Sequence, residues 1–252
     1  AGPVMASSNE FRITIHGKGS HAALPHNGID PVPIAAQLVQ AFQTIISRNK
    51  KPVDAGVISV TMIHAGEATN VVPDACELQG TVRTFTIEVL DMIERRMRQV
   101  AEHVCAAHEA TCEFHFRRNY PATVNSAPEA AFCREVMASI VGEANVDVQE
   151  PTMGSEDFSF MLEKRPGAFI FMGNGDTAGL HHPAYDFNDD AIVYGEPWIP
   201  PSDPEVVRNA DWAWYKLDAP ITFFQDEARD AFKGPTANPT DKRRDRGYAG
   251  GD

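Results

Sequence analysis

Imidazole beside flexible backbone is the first chemistry this sequence offers. His21 and His26 lie in HGKGSHAALPH, residues 16–26, where glycines permit close backbone approach and a neutral imidazole can donate to a carbonyl oxygen that gains charge. Ordinary turn chemistry, with each histidine satisfied by its own loop, is the alternative. Asn70 in GEATNVVPD is either a polar turn residue or an amide aimed at a ligand carboxylate. Arg83 in GTVRTF stands in an alternating segment, where a guanidinium on an open face can grip a carboxylate through two N–H groups, or else form an edge ion pair. His181 and His182 in LHHPAYDFND are the metal candidates, with Asp186 or Asp189 as outer acceptors. Adjacent histidines point in different directions, so one ligand and one bystander is the expectation. Glu156 and Asp157 in MGSEDFS read first as a helix cap and second as a carboxylate pair.

Composition narrows the classes of partner. The 252 residues carry 22 Lys plus Arg against 35 Asp plus Glu, a formal net charge of -13, which argues against a broad surface for nucleic acid or anionic lipid. Four cysteines, Cys76, Cys105, Cys112 and Cys133, form no CxxC pair and read as reduced, buried thiols, with Cys76 a packing residue. The sequence has no apolar run near the ~20 residues that cross a bilayer, and AGPVMASSNE lacks the basic and apolar regions of a signal peptide. A cytoplasmic protein that binds neither membrane nor nucleic acid is expected.

The elements that must hold these residues follow from periodicity. Phe11–Ile15 alternates as a strand, and Ile34, Leu38, Phe42 and Ile45 put one apolar face on a helix from 31 to 47, capped by Asp30 and opened by Pro31. Strands are predicted at 57–63 and 75–85, the latter with Cys76, Leu78, Gly80 and Val82 on one side, and residues 66–74 form the loop between them. A helix at 88–108 carries Leu90, Ile93, Met97, Val100 and Val104, and a strand follows at 112–118. This order is the split βαβ arrangement, an antiparallel sheet with two helices on one face. From 119 a second module is expected: a helix at 128–140, a short strand at 146–149, a short helix at 156–162 and a buried strand at 168–172. Residues 196–252 differ again, holding all three tryptophans and none of the nine histidines, and weak order is expected there.

With those motifs in place, the chain resembles the amidohydrolase branch of the aminoacylase and carboxypeptidase metallopeptidase family, which includes hippurate hydrolase and plant auxin-conjugate hydrolases. The resemblance rests on FRITIHGKGSHAALPHNGIDPV, QTIISRN, AGEATNVVPDACELQGTVRTF, PTMGSEDFSFML and LHHPAYDFND, in the family's order. It implies an α/β protein with an α+β lid: a βαββαβ two-layer dimerisation domain over residues 1–118, followed at 119–195 by the C-terminal part of an α/β metallopeptidase catalytic domain. It further implies that His21 reaches into the partner subunit's active site to stabilise a tetrahedral oxyanion, that Asn70 and Arg83 hold the substrate's carboxylate or nearby polar atoms, and that His181 is a metal ligand. The implied reaction is hydrolysis of the amide of an N-acyl amino acid or short peptide by a homodimer that uses two divalent ions, zinc or manganese. The family's early Cys-x-His segment, its paired glutamates and a histidine before the lid have no counterpart in these residues. The expectation is therefore a fragment, inactive alone, with an incomplete metal site; a non-catalytic dimerisation module is the rival reading.

Overall fold

A computed structural model describes residues 1–175, 178–179, 182–191 and 194. The predicted tail at 196–252 lies outside them. In chain order the strands and helices are β1 Gly2–Met5, β2 Ser8–His16, β3 Ser20–His21, α1 Pro31–Thr44, β4 Gly56–Ala65, β5 Val71–Val72, β6 Ala75–Thr84, α2 Ile87–Ala107, β7 Thr111–Tyr120, β8 Thr123–Asn125, α3 Ala127–Val141 and α4 Ser159–Leu162.

The alternation in β2 and β6 determines the main layer. Phe11, Ile13 and Ile15 on β2, with Cys76, Leu78 and Val82 on β6, turn to one side and are buried under α1 and α2. The sheet order is β4-β6-β2-β7, and every neighbouring pair is antiparallel. That is the predicted split βαβ domain. Helix α1 contributes Ile34, Ala35, Leu38 and Phe42, and α2 contributes Leu90, Ile93, Met97, Ala101 and Cys105. Phe42 meets the edge of Phe11 at 6.2 Å between ring centroids. A large apolar side chain buried this completely stabilises the fold by about 1.5–3 kcal/mol. Asp30 accepts from the Val32 N–H at 2.9 Å and Pro31 opens α1, as its sequence predicts. The helix passes into a π-helical turn at Ile45–Asn49.

The face of β6 away from the helices carries Glu77, Gln79, Thr81 and Arg83, all half-buried. Strand β4 is one edge of the sheet. Its register shifts between Val60 and Met62, and beyond that irregularity Met62 and Ile63 are exposed.

The second module has a smaller core, in which Cys133 and Ala168 are buried among Ala130, Val136, Met137, Ile140 and Ile170. Strand β1 joins this module through its pairing with β8. Three sequence expectations are corrected here. Residues 146–149 form no strand: a turn at Glu143–Asn145 leads into a segment with no ladder partner among the described residues, and Val148 is 80% exposed. Residues 168–172 are not a buried strand either. Ala168 is buried, but Phe171 and Met172 are 41% and 49% exposed, and the side chain of Asn125 supplies the contacts a neighbouring strand would make. Its Nδ2 donates to the Phe169 carbonyl at 2.8 Å and its Oδ1 accepts from the Phe169 N–H at 2.8 Å. The helix expected over 156–162 is only Ser159–Leu162. Among the described residues no helix is long and apolar enough to cross a membrane.

Candidate functional site

Two strands of two residues each build the site, and neither was expected from the sequence. β3 pairs antiparallel with β5, Ser20 opposite Val72 and His21 opposite Val71. The segment 66–74, predicted as a plain loop, therefore folds back onto the glycine-rich turn. Its anchor is Asp74, whose Oδ1 accepts from the Gly19 N–H at 2.7 Å and whose carbonyl accepts from the Gly17 N–H at 2.8 Å. Lys18 and Ile29 exchange N–H···O bonds of 2.8 and 2.9 Å across the turn. Gly17 is required by that crossing, since a Cβ there would lie 2.2 Å from the Ile29 carbonyl oxygen.

This pairing brings His21 and Asn70 together. The Ala22 N–H donates to the Asn70 carbonyl at 2.9 Å, and both residues line an open concavity of about 410 Å³ with Ser20, Val72, Pro73 and Asp74. His21 Nδ1 accepts from the Ala23 N–H at 3.0 Å. In neutral imidazole the proton then sits on Nε2, which has no partner among the described residues and is available as a donor to a bound group. His26 lies in the 3₁₀ turn Pro25–Asn27, exposed and outside the concavity.

Arg83 is elsewhere. It sits near the C-terminal end of β6, so from Ala75 the strand carries it about 27 Å away at ~3.4 Å per residue, while His21 lies past the N-terminal end. Arg83 Nη1 donates to the carbonyls of Val82 at 3.2 Å and Asn9 at 3.4 Å. Those carbonyls belong to a buried polar knot that the sequence reading missed. Asn9 Nδ2 donates to Ser7 Oγ at 2.9 Å and to the Val82 carbonyl at 3.1 Å, and Ser7 Oγ lies 3.0 Å from Thr84 Oγ1. A signal existed: Asn9 continues the Phe11, Ile13, Ile15 alternation, placing a polar residue where an apolar one is expected.

His181 lies outside the described residues. His182 Nδ1 accepts from the Ala184 N–H at 3.1 Å, a local turn contact. Among the described residues no group of three or more His, Cys, Asp or Glu could hold a metal ion, so these residues do not by themselves fit a two-ion centre. Glu156 is a turn residue rather than a cap of α4: its Oε1 accepts from the Phe158 N–H at 3.4 Å. Burial, then a hydrogen bond shared with Asp157, raises its pKa above the ordinary 4.5, against a smaller opposing pull from the Phe158 N–H. A proton held more tightly in the folded chain stabilises the fold at low pH, and that contribution is lost as pH rises from about 4.5 through the raised folded value. Glu156→Gln is expected to remove this slope, leaving stability at neutral pH equal to or up to about 1 kcal/mol above wild type. Urea midpoints measured from mildly acidic to neutral pH check it.

The split βαβ domain thus carries a histidine and an asparagine beyond one end of its sheet and an arginine near the other. Residues 7–109 match the family described as the peptidase dimerisation domain. The N-acetylcysteine deacetylase of Bacillus subtilis (strain 168) is 38% identical over 192 residues, covering 76% of this chain and 50% of the relative. Thermostable carboxypeptidase 2 of Saccharolobus solfataricus is 41% identical over 173 residues, covering 68% of this chain and 43% of the relative. Among solved structures, a dinuclear metal-binding peptidase of the M20 family from Bacillus subtilis superposes with a TM-score of 0.61 at 31% identity, covering 77% of this chain and 48% of that one. The chain is a family-level homologue of the M20 metal-dependent amidohydrolases and peptidases. It spans about half the length of the curated relatives it matches.

Proposed function

We propose that this chain supplies the lid and part of the catalytic domain of a metal-dependent amidohydrolase that cleaves the amide of N-acyl amino acids, hippurate-like compounds included, or of short peptides. The observation that carries this reading is the β3–β5 pairing, which puts His21 and Asn70 at one concavity and leaves His21 Nε2 free to donate. In the assembled enzyme His21 donates its Nε2 proton in a hydrogen bond to the carbonyl oxygen as the tetrahedral centre forms. Asn70 donates to polar atoms of the substrate, and Arg83 pairs with its carboxylate.

His21 and Arg83 cannot meet across the length of β6 within one chain, so a homodimer is part of the proposal: Arg83 serves the site of its own subunit and His21 that of the partner. The exposed edge of β4, with Met62 and Ile63 uncovered, suits pairing between two copies. Metal dependence, with two zinc or manganese ions and His181 among the ligands, rests on homology with the family. Four free thiols favour a reducing, cytoplasmic setting.

Grafting tests the proposal. The lid of the Bacillus subtilis N-acetylcysteine deacetylase is replaced by residues 7–109 of this chain, and N-acetylcysteine hydrolysis is followed with and without a chelator. The graft is expected to turn over substrate and to stop when metal is removed. A folded, dimeric graft without turnover would overturn the assignment to the lid. For the present chain alone, zinc or manganese titration is expected to show no two-ion site and no hydrolysis, whereas stoichiometric binding of two ions would contradict the division of labour.

A further inference from the structure

Helix α2 and strand β7 carry two cysteines for which the amidohydrolase chemistry has no use. Cys105 lies in the last turn of α2 and Cys112 is the second residue of β7. The chain reverses between them through a tight turn: the N–H groups of His108 and Ala110 both donate to the Cys105 carbonyl, at 3.0 and 2.9 Å, and Glu109 takes a left-handed φ of 59°. That reversal turns the two side chains toward each other on the helix side of the sheet. Both belong to the one apolar core beneath the helices, Cys105 buried in it and Cys112 packed against it. Cys105 is 1% exposed, whereas Cys112 is only half-buried, on a strand at the sheet's edge. The other thiol of this core, Cys76, is walled off: Ile15 pairs with Cys76 on one side and with Cys112 on the other, so two strand spacings, about 9.6 Å, separate them. Cys133 belongs to the second core.

We propose that Cys105 and Cys112 are an oxidisable dithiol, with Cys112 the attacking and Cys105 the resolving thiol, that closes to a disulfide when the protein meets a peroxide. The Cys112 thiolate attacks the O–O bond of hydrogen peroxide. The bond breaks, Cys112 becomes a sulfenic acid, and the departing hydroxide takes the proton that Cys112 released, leaving as water. Cys105 sulfur then attacks the Cys112 sulfur. The S–O bond breaks, the sulfenic oxygen leaves as a second water with the Cys105 proton, and the two-electron oxidation of the dithiol balances the reduction of one peroxide to two waters.

The surroundings favour this order of events. The hydrogen bond from Cys105 holds the Cys112 thiol below the usual thiol range, against burial and the Glu102 carboxylate and with help from the Arg98 guanidinium. Arg98 is fixed beside β7, 4.7 Å above the centre of the Phe114 ring. Cys105 shifts the opposite way, because it donates that hydrogen bond and is buried. Cys76 and Cys133 are both pushed up by burial, Cys133 to about 11, and are poor nucleophiles at neutral pH. A disulfide requires its sulfurs at about 2.05 Å, and two thiols that share one core across a tight turn are placed to close it. The product would staple the end of α2 to the edge strand.

Peptide mapping of the whole chain tests this independently of its enzymatic role. The protein is treated with hydrogen peroxide, unfolded in the presence of an alkylating agent and digested with a glutamate-specific protease. Cleavage after Glu102, Glu109 and Glu113 releases peptides 103–109 and 110–113, which stay together only through a Cys105–Cys112 bond. The expected result is that linked pair, two hydrogens lighter than the separate peptides and separated by reductant, with Cys76 and Cys133 alkylated. In Cys105→Ser, Cys112 is expected to accumulate as a sulfenic acid trapped by dimedone. Overoxidation of Cys112 without a link in the wild-type chain, a link through Cys76, or Cys133 reacting first would overturn the proposal, and the wild-type map decides even if the variant does not fold.

Discussion

Gly80→Val is expected to destabilise the four-stranded domain by about 3 kcal/mol or more, a large part of the ~5–15 kcal/mol that holds a typical domain together. The cause is steric. A Cβ on Gly80 would lie 2.0 Å from the carbonyl oxygen of Ser59 on β4 and 2.6 Å from Cζ of Phe11 on β2. Ser59 is backbone of a hydrogen-bonded neighbour, and Phe11 is locked against Phe42, so neither yields without disrupting the sheet or the core. Gly173→Ala is the control: its Cβ meets nothing within 4 Å, and a change within about 0.5 kcal/mol is expected. Urea unfolding of both variants measures the contrast. A loss below about 1 kcal/mol for Gly80→Val would mean that the β4–β6 spacing is far softer than the packing implies.

The second large effect concerns His21, measured in the grafted enzyme. Removing one donor that faces a developing oxyanion costs about 10²–10³ in kcat, and His21→Ala is expected to fall in that range with a much smaller change in KM. The separation of His21 from Arg83 adds a sharper test. If the two residues serve different sites of a dimer, subunits bearing His21→Ala mixed with subunits bearing Arg83→Ala form hybrids with one intact site and one doubly defective site. Random exchange of equal amounts makes half the dimers hybrid, so activity should recover to about a quarter of the parent from two nearly inactive stocks. No recovery, with hybrids demonstrated by mass, would place His21 and Arg83 in the same subunit's site and refute the exchange of residues between partners.

Much of the four-stranded domain was legible because its signals are local and long. Strand β2 alternates over the nine residues of Ser8–His16, and α2 repeats its apolar face through the 21 residues of Ile87–Ala107, so each element declares its buried side before any partner is known. The second module was less legible. Residues 168–172 are as apolar as a buried strand, yet a strand also needs a ladder partner, and among the described residues the Asn125 amide takes that place. Residues 146–149 failed for the same reason, since β-branched residues favour an extended chain without guaranteeing a neighbour.

Residue types and order alone determined the split βαβ domain, the acidic charge balance, and the candidacy of His21, Asn70, Arg83 and His181; the last lies outside the described residues. Tertiary structure decided which of these lie together. A two-residue strand has no period to detect, so only folding could reveal that β3 meets β5 across some fifty residues of sequence and aligns His21 with Asn70. The same fold places Arg83 near the far end of β6, because a strand's rise per residue is fixed and its ends cannot meet. Local burial is written in local sequence, whereas a site gathered from distant segments exists only once the chain has closed upon itself.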